Sequence, residues 1–276
     1  EYFKKIYEFV YATFAKRFTP EESESHSIVR VDSTLVTETA NKLREGMIVG
    51  NQYHKKKQVK YTLLMTDIFP CGAEIFTSQE EHNENKTIPL AIFNHADKSG
   101  IFVFDRGVNK RDIFTDFCEQ GIQFVTRINP KARYELISSA EIKVPKCNNL
   151  VIISDQFIRL YNQQSKLSAP YRLIRTQKEK QGKEEICFLT NCFDLNIDEI
   201  IAIYHKRWDI EVFFRFIKQE LNFSHFVSTT LNGIKIVLYL TLILAILILM
   251  YKKSNNLGYK TAVRRFRIEL DELITK

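Results

Sequence analysis

The chain has 276 residues, 45% of them hydrophobic and 26% charged, enough for one large or two small domains with a sizeable core. Lys and Arg outnumber Asp and Glu 40 to 33, giving a formal net charge of +7 and a pI near 9.0, which suits a polyanionic partner without requiring one. Five cysteines, at 71, 118, 147, 187 and 192, form no CxxC pair, which argues against a disulfide frame or a zinc site and for reduced thiols in a cytosol.

No signal peptide opens the chain, and a start at Glu1 without Met suggests that an N-terminal portion lies outside it. Residues 1–18 place Phe3, Ile6, Tyr7, Val10, Tyr11 and Phe14 at helical spacing. Thr19-Pro20 stops that helix, and the acidic, Ser-rich stretch 21–27 reads as a linker. Residues 28–36, IVRVDSTLV, read as a strand with Val29, Val31 and Leu35 on one face and Arg30, Asp32 and Thr34 on the other. Aspartate is disfavoured inside strands, so Asp32 needs a metal or a cationic partner to explain it. Residues 41–60 read as a basic loop, where Lys55, Lys56, Lys57 and Lys60 form either a solvated face or a DNA contact. Strands are expected at about 59–68 and 73–78 and a helix over 86–98.

Ile101 to Phe104 form a short, continuous apolar run, the mark of a buried central strand, and Asp105-Arg106-Gly107 follows at once. A carboxylate at the C-terminal end of a central strand stands where α/β sheets put their chemistry. Gly107 is expected to permit the sharp turn out of that strand. A helix at 110–119 and a strand from Ile122 to Ile128 complete the order β-β-β-α-β-α-β. Residues 130–195 show strand-like runs and no helical period, with Lys178, Lys180 and Lys183 near a turn.

Asn196 to Leu221 read as one helix, with Asn196 as cap and Glu199 closing a capping box. At about 100° per residue, Tyr204, Arg207, Glu211 and Lys218 fall within roughly 60° of one another. An apolar stripe of Ile203, Ile210, Phe214, Ile217 and Leu221 lies beside them. A solvated face with an Arg207–Glu211 ion pair is the plainer reading of that row. Trp208 either stacks on a base or anchors the core. Residues 236–251 are uncharged and almost wholly apolar, and shorter than the ~20 residues that span a bilayer, so a fully buried helix is expected and no membrane. The basic end, with Arg264, Arg265 and Arg267, returns as a short amphipathic helix.

The pattern Tyr204-x2-Arg207-x3-Glu211-x6-Lys218 resembles the YREK signature of bacterial insertion-sequence transposases of the DDE type, the group whose type member is insertion sequence four. VDST at 31–34 and FDRG at 104–107 are similar to that family's two aspartate motifs, in the right order. The resemblance covers about residues 27–250. It implies an α/β fold, a ribonuclease-H-like mixed sheet flanked by helices and interrupted by a β-rich insertion. The expected domains are a helical tail and linker at 1–26, a core at 27–129 and 196–276, and the insertion at 130–195. It implies Asp32, Asp105 and Glu211 as catalytic and metal-binding residues, with Tyr204, Arg207 and Lys218, and Trp208 beside them, toward DNA.

Three crowded carboxylates repel one another, and two Mg2+ ions, with Mn2+ as a substitute, remove that conflict. Two such ions clamp the attacking and leaving oxygens of an in-line phosphoryl displacement, first by water and then by a freed 3′-OH. The implied activity is cleavage of insertion-sequence ends and strand transfer into target DNA. The implied partners are double-stranded DNA, both terminal inverted repeats and target, with a dimer in the DNA complex. The implied setting is a bacterial cytoplasm at the nucleoid. A plain metal-dependent nuclease of the same fold would need the carboxylates but not Tyr204 and Lys218, and the intact Asp32, Asp105 and Glu211 count against a catalytically idle, domesticated DNA-binding protein.

Overall fold

The computed structural model describes residues 1–18, 26–50, 55–95, 97–142, 146–147, 149–162, 164, 166–179 and 185–275, except the side chain of Lys16. Most of the expected linker, together with Lys180 and Lys183, lies outside the described residues. In chain order the elements are α1 (Tyr2–Thr13), a 3-10 turn (Ala15–Phe18), β1 (Ile28–Thr37), β2 (Met47–Val49), β3 (Lys56–Thr66) and β4 (Phe69–Phe76). A 3-10 turn (Gln79–His82), α2 (Glu84–Asn94), β5 (Ile101–Val103), α3 (Arg111–Glu119) and β6 (Gln123–Ile128) follow. Then come β7 (Tyr134–Ser139), β8 (Lys146–Cys147), β9 (Leu150–Tyr161), β10 (Leu167–Lys178) and β11 (Glu185–Thr190). Four helices end the chain: α4 (Ile197–His205), α5 (Trp208–Glu220), α6 (Leu231–Ser254) and α7 (Tyr259–Ile274). The architecture is mixed α/β, a large mixed sheet flanked by helices, in agreement with the ribonuclease-H-like expectation.

Two compact units divide the chain: Glu1–Ser25, Asp32–Asn83 and Asp209–Lys276 form the first, and His26–Val31 with Glu84–Trp208 form the second. In the second unit the strand path runs from the start of β1 through β5, β6, β11, β10 and β9 to β7, with β8 on β9. β5 is parallel to both β1 and β6, pairing Val103 with Arg30 on one side and with Val125 on the other. Such parallel steps need a crossover, and α3 supplies the one from β5 to β6. From β11 onward the pairs are antiparallel. Side chains alternate between faces along each strand. Ile101, Val103, Val125 and Phe188 share a core with Ile200, Ile203 and Tyr204 of α4. Phe104 and Phe124 face the other way and pack stacked, edge-on or tilted against Phe114, Phe117 and Tyr171.

The first unit joins β3 and β4 through Asp67, whose positive φ of 52° suits a tight hairpin. Its core sets Tyr61, Leu63, Met65 and Phe69 of the hairpin against Ile210, Phe213 and Ile217 of α5 and Leu238, Leu242 and Ile246 of α6. Each such buried side chain stabilises the unit by about 1.5–3 kcal/mol. Tyr7 of α1 is buried here and donates its hydroxyl to the Pro70 carbonyl at 2.9 Å.

Several sequence expectations are corrected. Residues 41–60 are not one loop, because β2 and the start of β3 lie within them. Lys57 and Lys60 of β3 donate to backbone carbonyls, Lys57 to Leu43 and Arg44, Lys60 to His82. On β1 it is Val36 that is buried and Leu35 that is exposed, because the strand is covered on both faces at its start and opens toward its end. Arg30, expected on a polar face, is buried for the same reason. The helix over 196–221 is two helices, interrupted at Lys206 and Arg207. Finally, α6 runs for 24 residues and is buried along one face only, with Leu240, Leu244 and Leu247 exposed along the other. By length and composition alone it is long and apolar enough to cross a membrane.

Candidate active site

Asp105 stands two residues beyond β5 in the second unit. The aromatic packing of Phe104 and the bond from Thr126 Oγ1 to the Phe104 carbonyl, at 2.9 Å, hold the strand end that carries it. Alternation from Ile101 through Val103 directs Asp105 to the face covered by α4. There its Oδ1 accepts two hydrogen bonds, from the Arg106 backbone N–H at 2.7 Å and from the Tyr204 hydroxyl at 3.2 Å. Gly107 does not adopt a left-handed φ. A Cβ there would displace the Glu84 carboxylate, whose Oε2 would lie at 1.5 Å.

Tyr204 lies near the end of α4, a helix started by the reciprocal Asn196–Glu199 capping box that the sequence predicts. Its ring packs against Phe188 of β11, at 5.3 Å between centroids and 66° between planes. The guanidinium groups of Arg127 and Arg207 lie 6.0 and 5.9 Å from the ring centre. Burial, then the negative charge of Asp105, push the Tyr204 hydroxyl pKa up to about 12, against the opposing effect of the two arginines. The phenol is therefore a proton donor throughout the physiological range.

Arg127 had no place in the sequence pattern. It sits on β6 two residues after Val125, the partner of Val103 in register, and on the same face. The available signal was period two along a strand parallel to β5, the one that leads to Asp105.

The interruption between α4 and α5 has a visible partner. Lys206 N–H still reaches the Ala202 and Ile203 carbonyls and Arg207 N–H tightens onto Tyr204 at 3.0 Å, while the Lys206 carbonyl accepts from Arg30 Nε at 3.0 Å. The four signature residues are consequently not in one helical row. Tyr204 belongs to α4, Arg207 to the junction, and Glu211 and Lys218 to α5.

In the first unit, Asp32 is the fifth residue of β1, and its Oδ1 accepts from the Ser33 N–H at 2.7 Å. Ser33 in turn shares a hydrogen bond with Thr62 of β3 at 2.7 Å. Glu211 and Lys218 are seven residues apart on α5 and so share a face, beside the buried row of Ile210, Phe213, Phe214 and Ile217. Exposed Arg215, four residues after Glu211, shares that face and was absent from the sequence pattern. Lys218 Nζ donates to the Leu35 carbonyl of β1 at 3.2 Å, and burial pushes its pKa down. Trp208 is 54% exposed, which removes the alternative of a core anchor.

Asp32, Asp105 and Glu211 are each part-exposed carboxylates. Among the described residues, no group of three or more His, Cys, Asp and Glu side chains is assembled closely enough to hold a metal ion.

Comparison with known proteins gives concordant names. Residues 23–248 match the family described as the transposase DDE domain. A Sinorhizobium fredii protein named as a candidate transposase, y4zB, is 30% identical over 157 residues, which is 56% of this chain and 44% of that protein. A Geobacillus stearothermophilus protein named as a probable transposase for insertion sequence element IS5377 is 26% identical over 254 residues, 86% of this chain and 61% of that protein. The chain thus spans about half the length of the curated relatives it matches. Among solved structures, the piggyBac transposase synaptic complex with hairpin DNA aligns at a TM-score of 0.46 and 7% identity, over 86% of this chain and 51% of that one.

Proposed function

Given that the chain belongs to the transposase DDE domain family, we propose that it is the catalytic part of a DNA transposase of a bacterial insertion sequence, cleaving the ends of its element and joining them to target DNA. The observation that carries this reading is the family match over residues 23–248, which contains Asp32, Asp105 and Glu211. The signature at Tyr204, Arg207, Glu211 and Lys218 supports the YREK subtype.

The proposed metal-holding residues are Asp32, Asp105 and Glu211. Members of this family use divalent metal ions. Carboxylate oxygens are hard donors suited to Mg2+, which binds through one or two carboxylates and completes its shell with water and substrate phosphate oxygens. The donor set therefore fits two Mg2+ ions, or Mn2+, without requiring three side chains already clustered. When bound, such ions stabilise charge on the attacking and leaving oxygens of phosphoryl transfer.

The remaining roles belong to the chain itself. Arg207 and Lys218 are assigned to DNA phosphates, Arg207 as a planar fork and Lys218 as a point charge. Arg127 joins them by its place beside Tyr204. Exposed Trp208 is available to stack on a base. We assign residues 130–195, which carry β7 to β11, to an insertion between the second aspartate and the glutamate helix. The proposed partners are double-stranded terminal repeats and target DNA, bound by a dimer at the bacterial nucleoid and not at a membrane.

The test is incubation of the protein with its own element's end DNA and Mg2+ or Mn2+. The expected products are a nick that leaves a 3′-OH, followed by joined strands. Cleavage of any duplex without end preference and without joining would favour the plain nuclease.

A further inference from the structure

Four observations converge on Tyr204. Its hydroxyl lies 3.2 Å from Asp105 Oδ1 and donates to it. The residue is only 8% exposed. Its ring packs edge-on against Phe188, and the guanidinium groups of Arg127 and Arg207 lie 6.0 and 5.9 Å from its centre. The same Asp105 oxygen accepts from the Arg106 N–H at 2.7 Å.

Two donors on one carboxylate oxygen fix the rotation of the group about its last bond. A phenol has a single proton to donate. Given to Asp105, it is not available to a phosphate oxygen, and the phenol oxygen that remains offers a phosphate only lone pairs. Building on the metal-holding reading of Asp105, we infer that Tyr204 acts through Asp105, as a positioning residue that orients its carboxylate toward the cation, and not as a contact to DNA phosphate. The first position of the signature then serves the carboxylates, and its basic members serve the DNA. Hydrogen-bonding partners behind a metal ligand alter metal affinity by about 10- to 100-fold when they are lost.

The experiment compares the full chain with Tyr204→Phe and Asp105→Asn. Tyr204→Phe keeps the ring and removes only the hydroxyl and its hydrogen bond, so the fold is retained. Mn2+ binding is measured without DNA by electron paramagnetic resonance. Binding to a random-sequence duplex is measured over a salt series by fluorescence anisotropy. The inference expects Tyr204→Phe to weaken Mn2+ binding about 10-fold or more and to leave the salt slope unchanged. Mn2+ binding equal to the parent's would overturn it. A salt slope reduced by about one unit, as loss of one phosphate contact produces, would overturn it too. Asp105→Asn separates the two levels. If that change leaves Mn2+ binding intact, the metal reading itself fails and the inference with it. If it abolishes binding while Tyr204→Phe does not weaken it, only the inference fails.

Discussion

Lys218 and Arg207 carry similar charge in different settings. Lys218 is partly buried, reaches the Leu35 carbonyl, and has its pKa lowered by desolvation. Arg207 lies over the Tyr204 ring at the junction before α5. Neither is a metal ligand, since both are cationic donors. Replacing either with Ala should leave Mn2+ binding intact and lower the salt slope of DNA binding by about one unit. Cleavage and joining of end DNA should fall much further, because a lost phosphate contact misplaces the scissile bond. Glu211→Ala should do the reverse, leaving DNA binding and abolishing chemistry. Variants of Arg207 and Lys218 that process end DNA as well as the parent would move the plain nuclease ahead.

A second residue-scale prediction concerns Glu38, just after β1. Its carboxylate is buried and accepts backbone N–H groups of Lys42, Leu43 and Lys57 at 2.6 to 2.7 Å. Desolvation raises its pKa, but the three hydrogen bonds together outweigh that and hold it below the ordinary glutamate value. The stabilisation is therefore present above the ordinary value and is lost as pH falls through the lower folded value. Glu38→Gln should cost about 1–2 kcal/mol at neutral pH, after allowance for water near the loop. Thermal melting of parent and variant should show that gap closing in acid, and a gap independent of pH would contradict the assignment.

At the scale of elements, most boundaries were legible because period and punctuation agreed. The Asn196–Glu199 box, the apolar run of β5 and the crossover helix α3 all appear where the pattern puts them. The break between α4 and α5 was not legible. Residues 204–208 include no Gly or Pro, and every local preference there allows a continuous helix. The partner that takes the freed Lys206 carbonyl is Arg30, 176 residues away, and no local rule reads such a contact. The hydrogen bond from Tyr204 to Asp105 was hidden for the same reason, across 99 residues. Asp32, Asp105 and Glu211 drew notice by position and by family likeness, while Arg127 required the register of β6 against β5.

Replacing Arg30 with Met should remove its hydrogen bond to the Lys206 carbonyl and destabilise the fold by about 1–3 kcal/mol, read from chemical denaturation. Amide exchange should then rise most at Lys206 and Arg207. Uniform protection in the variant would show that the interruption does not depend on Arg30.

At the scale of the molecule, the first unit gathers α6 into its core along one face, through Leu238, Leu242, Ile246 and Leu249. The exposed leucines at 240, 244 and 247 form a narrow stripe at helical spacing on the other face. The uncharged run between Lys235 and Lys252 covers only residues 236–251, shorter than the ~20 residues that span a bilayer. The proposed assignment away from membranes predicts that the protein remains dispersed in buffer without detergent and does not sediment with anionic vesicles once salt screens its positive charge. Sedimentation that persists at high salt would reverse that assignment.

The central claim is that Asp32, Asp105 and Glu211 are the carboxylates that hold the catalytic cations. Anomalous scattering from crystals soaked in Mn2+ tests it most directly. The account predicts a Mn2+ peak within about 2.0–2.3 Å of carboxylate oxygens of both Asp32 and Asp105, with Glu211 joining when DNA is present. A crystal structure that put Asp32 and Asp105 on opposite faces of the sheet, or Mn2+ bound at other residues while these two stayed bare, would contradict it.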